Sequence, residues 1–137
     1  MKEVGIFKLS VIVLLFAGSF VSCSKKKNVE EPENIIGKWK LEKEVYTGWS
    51  TIIKTYYQYN IVCEFHPNGV LTVTADIDLF RYGLFIPGEY LFSSEDETNC
   101  YLEADEWQYS CQVSFNSMEI KLLNFTDPTY YFLKKIK

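Results

Sequence analysis

Hydrophobic and polar residues alternate with a period of two along most of the chain after Ile35. In the first run, Trp39, Leu41 and Val45 alternate with lysine and glutamate residues, as in a half-buried β-strand. Similar runs follow at short intervals, and no segment shows a convincing apolar repeat of about 3.6 residues. The pattern therefore predicts an all-β fold of about eight antiparallel strands.

Turn residues between these runs predict the pairing of three hairpins. A three-residue loop at Pro67-Asn68-Gly69 combines the fixed φ of proline with the access of glycine to positive φ. It predicts these pairs: Phe65 with Leu71, Cys63 with Val73, and Ile61 with Ala75. In each predicted hairpin the apolar side chains fall on one face, and a slip of one residue would turn them outward.

The other two hairpins are predicted to have two-residue loops. A loop at Asp105-Glu106 predicts these pairs: Ala104 with Trp107, Leu102 with Tyr109, and Cys100 with Cys111. A loop at Asn116-Ser117 predicts these pairs: Phe115 with Met118, Val113 with Ile120, and Cys111 with Leu122. Sequential antiparallel strands with short turns favour an up-and-down barrel, with a two-sheet sandwich as the alternative.

One connection, Asp76 to Pro87, is long and rich in apolar residues. It either pairs as a hairpin arm or strand extension, or forms a flap over the mouth of the barrel. Long loops are where binding residues concentrate. In the second interpretation Phe80, Tyr82 and Phe85 are the ligand-binding residues.

Residues 1–22 have the features of a bacterial lipoprotein signal peptide. Lysines precede an apolar run of 13 residues, Leu9 to Val21, which is shorter than the roughly 20 residues of a membrane-spanning helix. The junction Phe20-Val21-Ser22-Cys23 resembles a lipobox, although leucine is commoner than phenylalanine at its first position. The resemblance implies cleavage before Cys23 and lipidation of its thiol. An ordinary cleaved signal peptide and an uncleaved anchor are the alternatives.

The lipobox resemblance and the composition of the following residues divide the chain into three parts. Residues 23–34 form a lipidated flexible tether, because Ser24 to Glu33 contain Val29 as their only apolar side chain. Residues 35–137 form the barrel domain. The lipid at Cys23 anchors the protein to a membrane of the cell envelope, in this interpretation the outer membrane, with the face undetermined.

The first strand of the barrel domain carries a short motif, Gly37-Lys38-Trp39. It resembles the Gly-x-Trp signature of lipocalins, and residues 35–137 are similar to the lipocalin-like domain of small bacterial lipoproteins. The resemblance implies that Gly37 and Trp39 form the barrel floor. It also implies that a basic residue of the last strand, Lys134 or Lys135, lies over the Trp39 ring.

Composition and charge narrow the chemistry that the chain supports. A net charge of −4 with a single arginine, Arg81, excludes nucleic acid as a partner. The single histidine, His66, lies in a turn, and the six acidic residues between Glu95 and Glu106 lack the spacing of a calcium loop. We therefore expect no catalytic residue, no metal site, no cofactor and no enzymatic activity.

Three cysteines remain when Cys23 is lipidated, and export places them in an oxidising compartment. The predicted register sets Cys100 opposite Cys111, which favours a disulfide between them. Pairing from Cys63 is the rival connectivity, and three buried thiols are the remaining alternative.

Two functions of different classes fit these features. The first is a lipid-anchored barrel that binds a small apolar or amphipathic ligand. The alternative is a packed barrel that acts as an envelope structural or interaction module and docks a protein or glycan partner. An internal cavity favours the first, whereas a filled interior with an exposed apolar patch favours the second.

Overall fold

Nine β-strands occur in the computed structural model, which describes residues 34–81 and 83–137. They are β1 (Gly37–Thr47), β2 (Thr51–Thr55), β3 (Ile61–Phe65), β4 (Val70–Ala75), β5 (Gly88–Ser94), β6 (Asn99–Ala104), β7 (Trp107–Ser114), β8 (Ser117–Leu122) and β9 (Thr129–Ile136). The signal peptide, Cys23 and almost all of the tether lie outside the described residues. The described part of the chain has no helix of a length and hydropathy that would cross a membrane.

The strands close into an antiparallel barrel. From β3 to β9 each strand pairs with the next in the chain, and β1 completes the ring by pairing with both β3 and β9. The barrel wall thus has eight strands, and β2 extends it by pairing with the second half of β1. The predicted all-β, up-and-down barrel is confirmed, and the sandwich alternative is wrong.

Two of the three predicted hairpins have the predicted register. Phe65 pairs with Leu71 across the turn at residues 66–69, and Ala104 pairs with Trp107 across Asp105-Glu106. The third hairpin is shifted by two residues, because its turn is Phe115-Asn116 and Val113 pairs with Met118. Since the shift is even, Val113 and Ile120 still face the interior, whereas the prediction for Phe115 is wrong because this residue lies in the turn with its side chain 75% exposed.

A β-bulge changes the direction of the side chains along β1. The register with β9 shifts between Leu41 and Lys43, so that one extra residue stands on the β1 side. Trp39 and Leu41 face the interior as predicted, but beyond the bulge Glu44 lies opposite Tyr131, on the inner side. The expectation that Val45 faces inward is therefore wrong, because Val45 pairs with the outward Tyr130.

Large side chains fill the interior of the barrel. Twelve of them are essentially inaccessible to solvent: Trp39, Phe65, Ile35, Leu41, Ile61, Leu71, Leu84, Met118, Ile120, Leu133, Val73 and Cys63. Ten of them lie on β1, β3, β4, β8 and β9, Ile35 precedes β1, and Leu84 comes from the long connection between β4 and β5. Burial of this apolar surface is the main favourable term in the folding of the barrel.

One end of the barrel, which we call the floor, lies where β1 begins and β9 ends. Trp39 is fully buried there, and its indole nitrogen donates a hydrogen bond of 2.7 Å to the backbone oxygen of Ile35. The Nζ atom of Lys135 lies 5.4 Å from the centre of the Trp39 ring. Of the two lysines that the resemblance allowed, Lys135 makes this contact. Gly37 precedes Trp39 with a φ of +125°, a conformation that other residues rarely adopt.

Candidate functional site

A cleft opens in the barrel wall between β5 and β6. The two strands are hydrogen-bonded over three residue pairs, which end at Phe92 and Leu102. The first half of β5 is paired with β4 and not with β6, with Val73 opposite Gly88. The strands therefore separate toward the end of the barrel opposite the floor, which we call the mouth. The space between them has a volume of about 800 Å³.

The lining of the cleft comes from residues of both faces of the sheet. Four side chains with apolar bodies face it from the inner side: Tyr90, Phe92, Leu102 and Tyr109. Five residues line it from the outer side: Glu89, Leu91, Ser93, Tyr101 and Glu103. Asp105, Gln108 and Leu123 complete the lining near the mouth. Such a mixture of aromatic and polar groups is typical of small-molecule sites.

Two tyrosines of the cleft hold the backbone of the long connection at residues 76–87. The Tyr109 hydroxyl accepts a hydrogen bond of 3.2 Å from the Leu84 N–H. The Tyr90 hydroxyl donates one of 2.7 Å to the backbone oxygen of Ile86. The lining of the cleft and the segment at the mouth are thus directly connected.

Burial and nearby charges raise the pKa of both hydroxyls. Burial is the main cause that raises the pKa of Tyr109 to about 12, and Tyr90 and Asp105 add to it. Burial also raises the pKa of Tyr90, again with a contribution from the Asp105 carboxylate. The negative charge of Asp105 therefore acts on both hydroxyls within the cleft.

The segment at residues 76–87 forms no strand in its described residues, so the hairpin-arm interpretation is wrong. Its Leu84 and Phe85 are buried, and the Phe85 ring lies 4.6 Å from that of Tyr131. Phe80 is half-buried, with its ring 5.5 Å from that of Tyr56. The segment thus inserts apolar side chains into the mouth.

Phe80 and Phe85, two of the three predicted ligand-binding residues, do not line the cleft between β5 and β6. Tyr82 lies outside the described residues. The assignment of these three residues to a ligand site stays a prediction, and the structure adds the cleft as a second location.

A carboxylate faces the inside of the mouth because of the bulge in β1. Glu44 accepts a hydrogen bond of 2.7 Å from the Tyr56 hydroxyl. Burial, followed by this bond, raises the pKa of Tyr56 above its usual range. The pKa of Tyr131, opposite Glu44, is raised by burial and by the same carboxylate. The alternation along β1 gave no sign of this polar cluster, since the bulge that creates it leaves no signature in the sequence.

The cysteines have the predicted arrangement. Cys100 and Cys111 form a disulfide across β6 and β7, with their Cα atoms 4.9 Å apart, which confirms the favoured pairing. Cys63 is a buried free thiol, and burial raises its pKa to about 12. A thiol in this state reacts slowly, because the thiolate is the nucleophile.

The remaining candidate groups are dispersed. His66 is half-buried in the turn between β3 and β4, where its Nε2 atom lies 3.0 Å from the Thr72 hydroxyl. Within residues 34–81 and 83–137, no three His, Cys, Asp or Glu side chains form a group that could hold a metal ion.

Sequence reasoning missed the cleft between β5 and β6. The alternating pattern predicts where the strands lie. The point where β5 and β6 separate, however, depends on how far β5 pairs with β4 and β6 pairs with β7. The signal that the sequence does offer is weak. Pro87 and Gly88 restrict where β5 can begin.

Comparison of the chain with protein-family models, with curated proteins and with solved structures finds no match. The assignment of a function therefore rests on the geometry of the barrel and of its cleft.

Proposed function

We propose that this protein is a lipid-anchored envelope protein whose barrel binds a small amphipathic ligand in the cleft between β5 and β6. The observation that carries the proposal is the cleft itself, with a volume of about 800 Å³ and walls formed by Tyr90, Phe92, Tyr101 and Tyr109. Ligand sites in proteins commonly have volumes of about 300–1,000 Å³ and apolar or aromatic walls with a few polar groups.

The wall of the barrel is a better location for a ligand than its centre. The centre is filled by side chains such as Leu41, Cys63 and Ile120, which are essentially inaccessible to solvent. Where β5 and β6 separate, by contrast, the sheet offers apolar side chains together with backbone groups at the strand edges. A ligand with an apolar body and a polar end can satisfy both kinds of group.

The proposal includes a membrane anchor, the lipid at Cys23, which the tether joins to the barrel. The chain enters the barrel at the floor, where the backbone oxygen of Asn34 accepts a hydrogen bond from Lys135. The cleft opens toward the mouth, at the other end of the strands. A lipid at Cys23 would therefore connect, through the tether, to the end of the barrel that lies away from the cleft.

Labelled palmitate tests the anchor. We expect the wild-type chain to incorporate the label in a bacterial host that processes lipoproteins, and Cys23→Ala to incorporate none. Equal labelling of both chains would contradict lipidation at Cys23.

Photo-crosslinking tests the cleft. A neutral alkyl diazirine alcohol is added to the full chain in phosphatidylcholine nanodiscs, and the labelled peptides are identified by mass spectrometry. We expect label on β5 and β6 that excess phenylbutanol displaces. Ser93→Trp, which places a large side chain in the cleft, should reduce the label.

Ser114→Trp is the matched control, because Ser114 is an exposed serine on β7 outside the cleft lining. Label that Ser93→Trp leaves unchanged would contradict the proposed site. Label concentrated on residues 76–87 would favour Phe80 and Phe85 as the ligand contacts instead.

A second candidate function is docking of a partner protein or glycan at the hairpin of β1 and β2. The filled interior of the barrel and the exposed apolar side chains of this hairpin are the features that favour docking. Trp49 is fully exposed at its turn, and Ile53 on β2 is 62% exposed. In the described residues β2 pairs only with β1, so its other edge is available. A photo-crosslinking amino acid at position 49 in intact cells should give a discrete adduct that Ile53→Lys abolishes.

A further inference from the structure

The charges around the cleft between β5 and β6 have one sign. Three of its twelve lining residues carry carboxylates: Glu89 on β5, Glu103 on β6 and Asp105 in the turn after β6. None of the described residues that line the cleft is lysine, arginine or histidine. An anionic ligand would therefore meet repulsion at this opening, whereas a cation would be attracted to it.

The walls of the cleft suit the same kind of ligand. The partly exposed side chains of Tyr90, Phe92 and Tyr101 contribute aromatic rings, and the face of an aromatic ring attracts a cation. Leu91 is 75% exposed and Tyr101 is 45% exposed, so apolar surface is already present at the opening. An apolar body can cover this surface while a charged end reaches the carboxylates.

The carboxylates have different surroundings within the cleft. The Glu103 carboxylate accepts a hydrogen bond of 2.9 Å from the Gln108 side chain, which orients it on the outer face. Asp105 occupies the first position of the turn with a φ of +56°. Asp105 lines the cleft near the mouth, and its charge contributes to the raised pKa of both Tyr90 and Tyr109.

We propose that the cleft selects amphipathic cations, in which an amine or ammonium group is joined to an aromatic or alkyl body. The carboxylates of Glu89, Glu103 and Asp105 would attract the charged group, and the aromatic walls would hold the body. This inference rests on the proposed function, since it names the class of ligand for the same cleft.

Three compounds that share one phenylbutyl body test the inference: phenylbutylamine, phenylbutanol and phenylbutyrate. Each is titrated into the full chain in phosphatidylcholine nanodiscs by calorimetry, and the heat from empty nanodiscs is subtracted. We expect the amine to bind about tenfold more tightly than the alcohol, and the acid to bind more weakly than either.

The triple variant Glu89→Gln, Glu103→Gln and Asp105→Asn tests the role of the carboxylates. It should remove the preference for the amine, so that the amine and the alcohol bind with equal affinity. The matched control replaces Glu95, Glu97 and Glu119 by glutamine, which removes the same charge from positions outside the lining. This control should keep the preference for the amine.

The outcomes separate the two proposals. Equal binding of amine and alcohol, or tightest binding of the acid, overturns the cation preference while the cleft remains a binding site. Loss of the preference in the control variant overturns the role of the three cleft carboxylates. Absence of binding by all three compounds overturns the proposed function, and the cation preference with it.

Discussion

The Tyr109 hydroxyl lies 3.2 Å from the backbone nitrogen of Leu84, a residue 25 positions earlier in the chain, and accepts its hydrogen. Tyr109 belongs to β7 and lines the cleft, whereas Leu84 is buried in the segment that inserts into the mouth. Together with the bond from the Tyr90 hydroxyl to the backbone oxygen of Ile86, this hydrogen bond joins the candidate ligand site to the segment at the mouth.

Removal of this hydroxyl should loosen the segment at the mouth. In Tyr109→Phe the buried Leu84 N–H loses its acceptor, so we expect the free energy of unfolding to fall by about 1–3 kcal/mol. The Leu84 amide should also exchange faster with solvent, as measured by hydrogen–deuterium exchange. Tyr101→Phe is the control, since Tyr101 is 45% exposed on the outer face. Unchanged exchange at Leu84 would show that the bond contributes nothing.

The disulfide between Cys100 and Cys111 should stabilise the barrel by a modest amount. The two residues are 11 positions apart, and closure of so short a loop is worth about 2–3 kcal/mol in the loop-entropy account. We expect a reducing agent to lower the urea midpoint of the wild type. The double variant Cys100→Ala and Cys111→Ala should start at a lower midpoint and show no response to the reducing agent. A response in the double variant would indicate a different redox-active group.

Asp96 should make stability depend on pH in the acid range. Hydrogen bonds from the Asn99 side chain and from the Thr98 backbone are the leading causes that lower its pKa to about 2. Because the folded state favours the carboxylate, this stabilisation is complete above about pH 4 and is lost as the pH falls toward 2.

Unfolding in urea across this pH range measures the effect. Asp96→Asn should be less stable than the wild type near neutral pH, and the difference should shrink as the pH falls through the acid range. Glu95→Gln removes the same charge from the neighbouring position and should not reproduce this change. A constant difference between Asp96→Asn and the wild type at all pH values would contradict the assignment to the carboxylate.

The parts of the fold that local chemistry determines were predictable from the sequence. Pro67 and Gly69 fix one turn and Asp105 tolerates positive φ in another, so the registers of both hairpins followed from their turns. The cross-strand position of Cys100 and Cys111 followed from the second register.

The features that the sequence did not predict depend on contacts between distant segments. The bulge after Leu41 arises from the pairing of β1 with β9, and the alternation of charged and apolar residues gives no sign of it. The cleft depends on β5 leaving β6 to follow β4. The prediction of the third turn was wrong for a different reason. Phe115 occupies the first position of that turn, for which phenylalanine is an unfavourable residue.

Phe115 should be replaceable with a gain in stability. It stands first in the turn between β7 and β8 with a φ of +55°, a conformation that costs a residue with a Cβ atom about 1–2 kcal/mol. Its side chain is 75% exposed, so little packing offsets this cost. Phe115→Asn should raise the free energy of unfolding by about 0.5–1 kcal/mol, since asparagine tolerates this region better.

Phe115→Ala separates the backbone from the ring. Alanine removes the ring but keeps the Cβ atom that causes the strain, so we expect no gain in the urea midpoint from this variant. Phe115→Gly removes the Cβ atom as well, but its gain should be smaller than that of asparagine because glycine is more flexible in the unfolded chain. If alanine stabilises the barrel as much as asparagine, the exposed ring rather than the backbone is the unfavourable element. If all three variants destabilise it, the Phe115 ring makes a net favourable contribution that outweighs the strain of its backbone.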